Sequence, residues 1–294
     1  MATSLLLSCL VLLCSCKKQK RTTVVTEEDT HTSYVDLYYG DEERQRLDLY
    51  VPRETEGTLG VIFMIHGGGW YAGSKEAYGT TPKDWCIEKG YAVVAIDYRY
   101  STERGVDAEQ MLDDITLALK KVRDVLIWLG KEPGKAMFYG HSAGAHLSLL
   151  YAYSRWDEAP IKPGAVLALA GPTDLSDPNY FGDNPLAGEI IKMFDEVAGI
   201  KIDNGNIEKA IPRLAEISPV SYVNSSTVPT LIAHGRIDEL VPISNATSLA
   251  ECLGECGVEH RLIVFENSGH GLESDPDATE EALDAMWEYA ERFL

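Results

Sequence analysis

Short, continuously apolar runs recur along this chain, spaced by longer stretches of helical character. Val61–Ile65 (V-I-F-M-I), Ala92–Ile96 (A-V-V-A-I), Lys135–Tyr139, Ala165–Ala170 and Thr230–Ala233 are such runs, and His260–Phe265 reads as a further strand. Runs this short, apolar at consecutive positions, predict strands buried on both faces. Between them lie Pro82–Glu88, closed by Gly90, then Asp107–Leu129, Ala145–Tyr153, Ser244–Leu253 and Ala278–Leu294. In the second of these, Met111, Ile115, Leu119, Val122 and Leu126 recur at spacings of three and four, so one helical face is apolar. Two alternating runs, Val35–Tyr39 and Leu47–Val51, precede the series as an antiparallel pair around the turn-like Gly40–Glu43. This order predicts an α/β fold: a mostly parallel, eight-stranded sheet with helices on both faces. A chain of 294 residues, 45% hydrophobic, supports one such domain over residues 33–294.

Between Gly171 and Val228 the alternation lapses. The stretch holds Pro172, Pro178, Pro185, Pro212 and Pro219, with one short helix expected around Glu189–Val197. It is too long for a simple connection. A small cap or lid over the carboxyl ends of the strands, where α/β sheets bind ligands, is the expectation; a packed surface excursion is the alternative.

The N-terminus departs from the globular pattern. Thr3–Cys16 carries no charge and includes seven Leu or Val residues, and Lys17, Lys18, Lys20 and Arg21 follow at once. The run is too short to span a bilayer and reads as the core of a signal peptide, although Met1–Ser4 lacks the usual basic residues. Leu13-Cys14-Ser15-Cys16 is similar to a bacterial lipobox, with Cys16 as the lipidated residue; Cys9 follows too short an apolar run. Residues 1–16 are therefore expected to be a lipoprotein signal, with 17–32 a polar tether. The protein would be exported and anchored by lipid in a bacterial cell envelope; an ordinary cleaved signal, and secretion, is the alternative. Cys86, Cys252 and Cys256 would then remain, an odd number that makes no complete disulfide framework and suits small buried hydrophobes. A net charge of −20 argues against nucleic acid as a partner.

Gly140-His141-Ser142-Ala143-Gly144 joins a predicted strand to a predicted helix. G-x-S-x-G in that context places a serine on a sharp turn, its hydroxyl exposed and a helix N-terminus behind it. His66-Gly67-Gly68-Gly69 directly follows the buried run ending at Ile65. Glycines there let backbone N–H groups approach a substrate, so the amides of Gly68, Gly69 and Ala143 are the candidate oxyanion donors. Of seven histidines, His270 lies in a glycine-flanked loop between the last strand and the last helix, and is the candidate base. Asp238, in the loop after Thr230–Ala233, is the candidate acid, with its neighbour Glu239 as the alternative. The resulting order is serine, acid, histidine. Trp70 is a candidate for the substrate pocket; Tyr71 and Trp85 are weaker ones. No ligand cluster suggests a metal, and the chemistry needs no cofactor.

The motifs His66–Trp70, Gly140–Leu147, His234–Pro242 and Ser268–Gly271 together resemble the α/β-hydrolase esterases with an H-G-G-G oxyanion loop, related to the hormone-sensitive-lipase group. The bacterial acetyl/feruloyl-esterase-like branch is the nearer likeness, and it covers the chain from about Val35 onward. The resemblance implies Ser142 as nucleophile, His270 as base, Asp238 as its orienter, and Gly68, Gly69 and Ala143 as the oxyanion hole. It implies hydrolysis of short-chain, acetyl or feruloyl esters, including esters carried on plant polysaccharide. Many of the lipase-like group have Asp before the serine, where this chain has His141. That form also occurs in arylformamidases and prenylcysteine methylesterases, so a formamide is the alternative substrate and an inactive surface binder a remoter one.

Overall fold

The computed structural model describes residues 22–55, 57–202 and 207–294. The expected signal, Cys16 and the start of the tether lie outside the described residues. In chain order the elements are β1 (Val24–Glu27), β2 (His31–Tyr38), β3 (Arg46–Pro52), β4 (Thr58–Ile65), α1 (Thr81–Lys89), β5 (Ala92–Ile96), α2 (Ala108–Trp128), β6 (Glu132–His141), α3 (Ala143–Ser154), β7 (Pro163–Leu169), α4 (Ala187–Ala198), α5 (Ile211–Glu216), β8 (Thr230–Gly235), α6 (Ser244–Glu255), β9 (His260–Phe265) and α7 (Pro276–Phe293). One sheet runs β1-β2-β3-β5-β4-β6-β7-β8-β9. The pairs from β1 to β5 are antiparallel, and those from β5 to β9 parallel.

Among the described residues the sheet has nine strands rather than the expected eight. The additional one, β1, falls inside the stretch read as a tether. It is four residues long, pairs only with β2, and leaves Val24 half exposed. An edge strand with no buried face carries no apolar pattern to mark it. The second strand also begins earlier than expected, at His31, and is interrupted by an irregularity between Tyr34 and Leu37. Asp36 adopts φ +54° there, which breaks the alternation in the sequence as well as in the ladder.

Both sheet faces are covered, which is why the central strands are apolar at every position. In β4, Val61, Phe63 and Ile65 face one core with β3, α2 and α3; Ile62 and Met64 face a second core with α1 and α7. All five are fully buried. Helix α2 starts at a capping box. The Asp107 carboxylate accepts from Glu109 N–H at 2.8 Å, and Gln110 accepts from Asp107 N–H at 3.0 Å. Cys86 is buried in the second core, and burial pushes its thiol up to about 12. Cys252 and Cys256 are only half-buried and free, so the expectation of buried small hydrophobes holds for Cys86 alone.

The stretch between β7 and β8 carries α4 and α5, of which only the first was foreseen. Ile190, Phe194, Val197 and Ala198 form the buried stripe of α4. Its ring Phe194 lies edge-on to Trp70 and Tyr180, at centroid distances of 6.2 and 5.0 Å. The insertion thus packs on the loop that follows β4.

Candidate active site

The parallel strands β4, β6, β8 and β9 end on one edge of the sheet, and each is followed by a segment that contributes to a single cluster. Ser142 sits between β6 and α3 with φ +56° and ψ −122°, a strained region for a residue with a side chain. Its N–H donates to Leu169 O at 2.8 Å, and its carbonyl accepts from His146 N–H at 3.0 Å, so the turn is pinned on both sides. Gly140 and Gly144 make the turn sterically feasible. A Cβ on Gly144 would lie 1.9 Å from Ile65 O, and one on Gly140 2.3 Å from the Gly144 carbonyl carbon.

His270, in the loop after β9, brings Nε2 to 2.9 Å from Ser142 Oγ. Its Nδ1 is 2.8 Å from Asp238 Oδ2. A carboxylate can only accept, so Nδ1 carries the proton and Nε2 is free to accept from the serine hydroxyl. Asp238 is buried, and its other oxygen accepts from Leu240 and Val241 N–H, both at 2.9 Å. Those two bonds turn Oδ2 towards His270. Glu239 is exposed, and it is Asp238 that bonds His270.

The other histidines near the sheet are engaged elsewhere. His66 donates to Gly67 O at 2.7 Å and stacks on Tyr98. His146 donates to Ile217 O at 2.7 Å and accepts from Trp70 Nε1–H at 3.2 Å. His234 donates to Val241 O at 2.9 Å, and His141 to His270 O at 2.8 Å. Burial drives His66 and His146 down to about 4 and lowers His141 and His234 as well, so all four are neutral at pH 7.

The glycine loop lies against Ser142: a Cβ on Gly67 would be 3.4 Å from Ser142 Cβ. Gly68 adopts φ +112°, and its carbonyl accepts from Tyr71 and Ala72 N–H, which closes a tight turn. Among the described residues, no hydrogen bond uses the N–H of Gly68, Gly69 or Ala143. The first of α3's free amides is that of Ala143, at the positive end of the helix.

A charged layer supports this loop from behind, and sequence reasoning did not find it. Arg44 reaches across from the β2–β3 turn to Tyr98 O and Gly73 O, at 2.8 and 3.2 Å. Fully buried Asp97 pairs with Arg46 at 2.9 Å and accepts from Lys75 N–H at 2.8 Å. An acidic residue directly after a buried strand, with arginines far upstream, was the only available signal. Sequence alone does not pair residues about fifty positions apart.

Trp70 is 2% exposed and adopts φ +65°. It walls a small apolar cavity of about 20 Å³ beside Ser142, with Tyr180, Met193, Phe194, Leu240 and Val241 among the other walls. Tyr71 is exposed, and Trp85 stacks edge-on with Tyr139 and Trp287 in the second core, away from the site. A wider, open groove of about 520 Å³ is lined by Asn179, Phe181, Asp183, Asn184 and Glu239, and reaches Asp238. Among the described residues, no group of three or more His, Cys, Asp or Glu is placed to hold a metal ion.

The sheet order, the turn at Ser142 and the three loops converging on it define an α/β-hydrolase fold. Within that class, residues 47–253 match the BD-FAE family model, more than half of the chain, and the chain belongs to that family. It is 25% identical, over 86% of its length, to a probable isoprenylcysteine alpha-carbonyl methylesterase of Arabidopsis thaliana, of which the match covers 54%. It is 27% identical, over 78% of its length, to LipM, a probable carboxylic ester hydrolase of Mycobacterium tuberculosis, covering 53% of that protein. The chain thus spans about half the length of these curated relatives. Among solved structures, a truncated carbohydrate esterase from gut microbiota superposes with a TM-score of 0.72 at 22% identity, covering 91% of this chain and all of that one. The esterase Est2 of Thermogutta terrifontis superposes at 0.66 and 23% identity, covering 86% and 90%. At those identities the superpositions speak for the fold alone.

Proposed function

We propose that the protein is a serine hydrolase of carboxylic esters that works through an acyl-enzyme on Ser142. The observation that carries this reading is the unbroken chain from Ser142 Oγ through His270 to Asp238, at 2.9 and 2.8 Å. The ester-hydrolase names of the relatives support it. In this reading Ser142 Oγ attacks the ester carbonyl carbon while His270 Nε2 takes its proton. The developing oxyanion is held by the unused amides of Gly68, Gly69 and Ala143, each donor contributing about 3–4 kcal/mol in comparable sites. The protonated His270 then gives its proton to the departing alkoxide. Water, deprotonated by the same nitrogen, cleaves the acyl-enzyme and returns Ser142. Asp238 holds the Nδ1–H tautomer and stabilises the imidazolium.

The cavity beside Ser142 favours a short acyl group, acetyl above all, because its walls leave room for little more than a methyl. A feruloyl group would need Met193 and Phe194 to move aside. The open groove, with its amide and carboxylate side chains beside Phe181, suits a polar alcohol such as a sugar carrying the ester. We further propose that Cys16 is lipidated and holds the enzyme on the cell envelope.

The test is a fluorophosphonate label together with hydrolysis of p-nitrophenyl acetate. Wild type should be labelled on Ser142. Ser142→Ala should lose both label and at least about 10⁴-fold in kcat/KM; a variant that kept full activity would overturn the reading. A panel of acetylxylan, methyl ferulate and N-formylkynurenine distinguishes the substrate classes. Cleavage of the formamide well above any ester would replace the ester reading with an amide one.

A further inference from the structure

His141 is the residue that sets this elbow apart from those with Asp before the serine, and the catalytic chain makes no use of its imidazole. Its position is nonetheless specific. It ends β6, paired with Leu169 of β7, and the next residue is the nucleophile. Its ring lies between the glycine loop and the loop that carries His270. On one side, a Cβ on Gly67 would stand 3.3 Å from His141 Nδ1 and 2.8 Å from His141 O, so only glycine leaves this space to the ring. On the other, His141 Nε2 is 2.8 Å from the main-chain carbonyl of His270, with the two rings 5.0 Å apart. A carbonyl only accepts, so His141 Nε2 carries a proton. Burial favours the neutral form of the ring.

The rest of the His270 loop is tied at its flanks. Asp275 accepts from Asn267 N–H and from the Ser268 hydroxyl, at 2.9 and 2.6 Å, and Ser274 N–H donates to Ser268 Oγ at 3.0 Å. At the tip, the only hydrogen bond to the His270 carbonyl among the described residues comes from His141. Two residues on, Leu272 adopts φ +58°, so the tip is strained and has to be held.

We propose that His141 is a positioning residue for the base: its Nε2–H fixes the His270 carbonyl, and through that residue's backbone it sets the imidazole against Ser142 Oγ. The proposal rests on the reading of His270 as the base. A carboxylate at position 141 has no proton to give at pH 7 and would face the carbonyl oxygen, so Asp there requires a differently held loop. The identity of residue 141 is then coupled to the conformation of the base loop rather than to the substrate.

The experiment compares His141→Ala, His141→Gln and His141→Asp in the full chain, with kcat and KM for p-nitrophenyl acetate and the thermal midpoint of each. Loss of one neutral hydrogen bond at the base should lower kcat about fivefold to tenfold in the Ala variant, with KM nearly unchanged. The Gln side chain places an N–H where Nε2 stands and should recover most of that loss. Asp should be at least as slow as Ala. Gln as slow as Ala, or Asp as fast as wild type, would overturn the proposal, and so would full kcat in the Ala variant. Should Ala fail to fold, the Gln and Asp pair still decides. Failure here is distinguishable from failure of the esterase reading: that one falls with an active Ser142→Ala, this one with an inactive Ser142→Ala and unchanged His141 variants.

Discussion

At the scale of single residues, the site depends on how few acceptors and donors are left free once the backbone is satisfied. Asp238 spends one oxygen on the amides of Leu240 and Val241 and keeps the other for His270. Asp238→Asn should therefore leave its Oδ1 on those amides and present an NH₂ to His270 Nδ1. That forces the proton onto Nε2, where the imidazole can no longer accept from Ser142. We expect kcat to fall by about 10⁴-fold with the fold intact, measured as kcat on p-nitrophenyl acetate beside the far-UV circular dichroism spectrum. Met193 makes a different prediction. Its sulfur stands 2.9 Å from where a Cβ on Gly69 would be, and it walls the cavity beside Ser142. Met193→Ala should enlarge that cavity and raise the butyrate-to-acetate ratio of kcat/KM about tenfold. An unchanged ratio would show that the acyl group lies elsewhere.

At the scale of elements, the loop between β9 and α7 is held by the residue at the start of that helix. The Ser268 hydroxyl, donating to Asp275, holds that carboxyl below the ordinary aspartate value, helped by Asn267. A carboxyl whose folded pKa is depressed contributes stability that is complete above its unfolded value, near 3.8, and is lost as pH falls through the lower folded value. The contribution of Asp275 to this loop should thus be complete above pH 3.8 and fall away below it. Ser268→Ala should move the acid-inactivation midpoint upward, read as p-nitrophenyl acetate activity remaining after timed exposure at each pH. A midpoint that stayed in place would separate this loop from acid inactivation. The same elements show how far local pattern carries. Helix α2 was placed from its apolar spacing to within a residue of its cap at Asp107, because one face of a long surface helix repeats its burial every turn. Strand β1 and helix α5 escaped because each is too short, at four and six residues, to show a burial pattern of its own.

At the scale of the whole molecule, the edge that gathers Ser142, His270, Asp238 and the glycine loop is set by parallel strands of one sheet, and the anchor we propose lies far outside it in the chain. Cys16→Ser should release the protein from the membrane fraction and abolish incorporation of labelled palmitate, while leaving p-nitrophenyl acetate hydrolysis unaltered; a variant that stayed membrane-bound would refute lipidation at that cysteine. The sequence by itself determined the class of fold, through apolar runs that only a sheet covered on both faces can bury. It also marked candidate side chains for the site, since the elbow and the glycine loop are contiguous motifs with local steric demands. What only the tertiary structure decided was pairing between segments far apart in the chain. Asp238 was separated from Glu239 by which carboxylate two backbone amides turn inward. Trp70 was separated from Trp85 by which face of the sheet each packs on. His141 acquired a partner 129 residues away, across the gap between β6 and the loop after β9. Local pattern encodes burial and turn geometry, whereas a hydrogen bond between distant loops exists only once the sheet has brought their strand ends side by side.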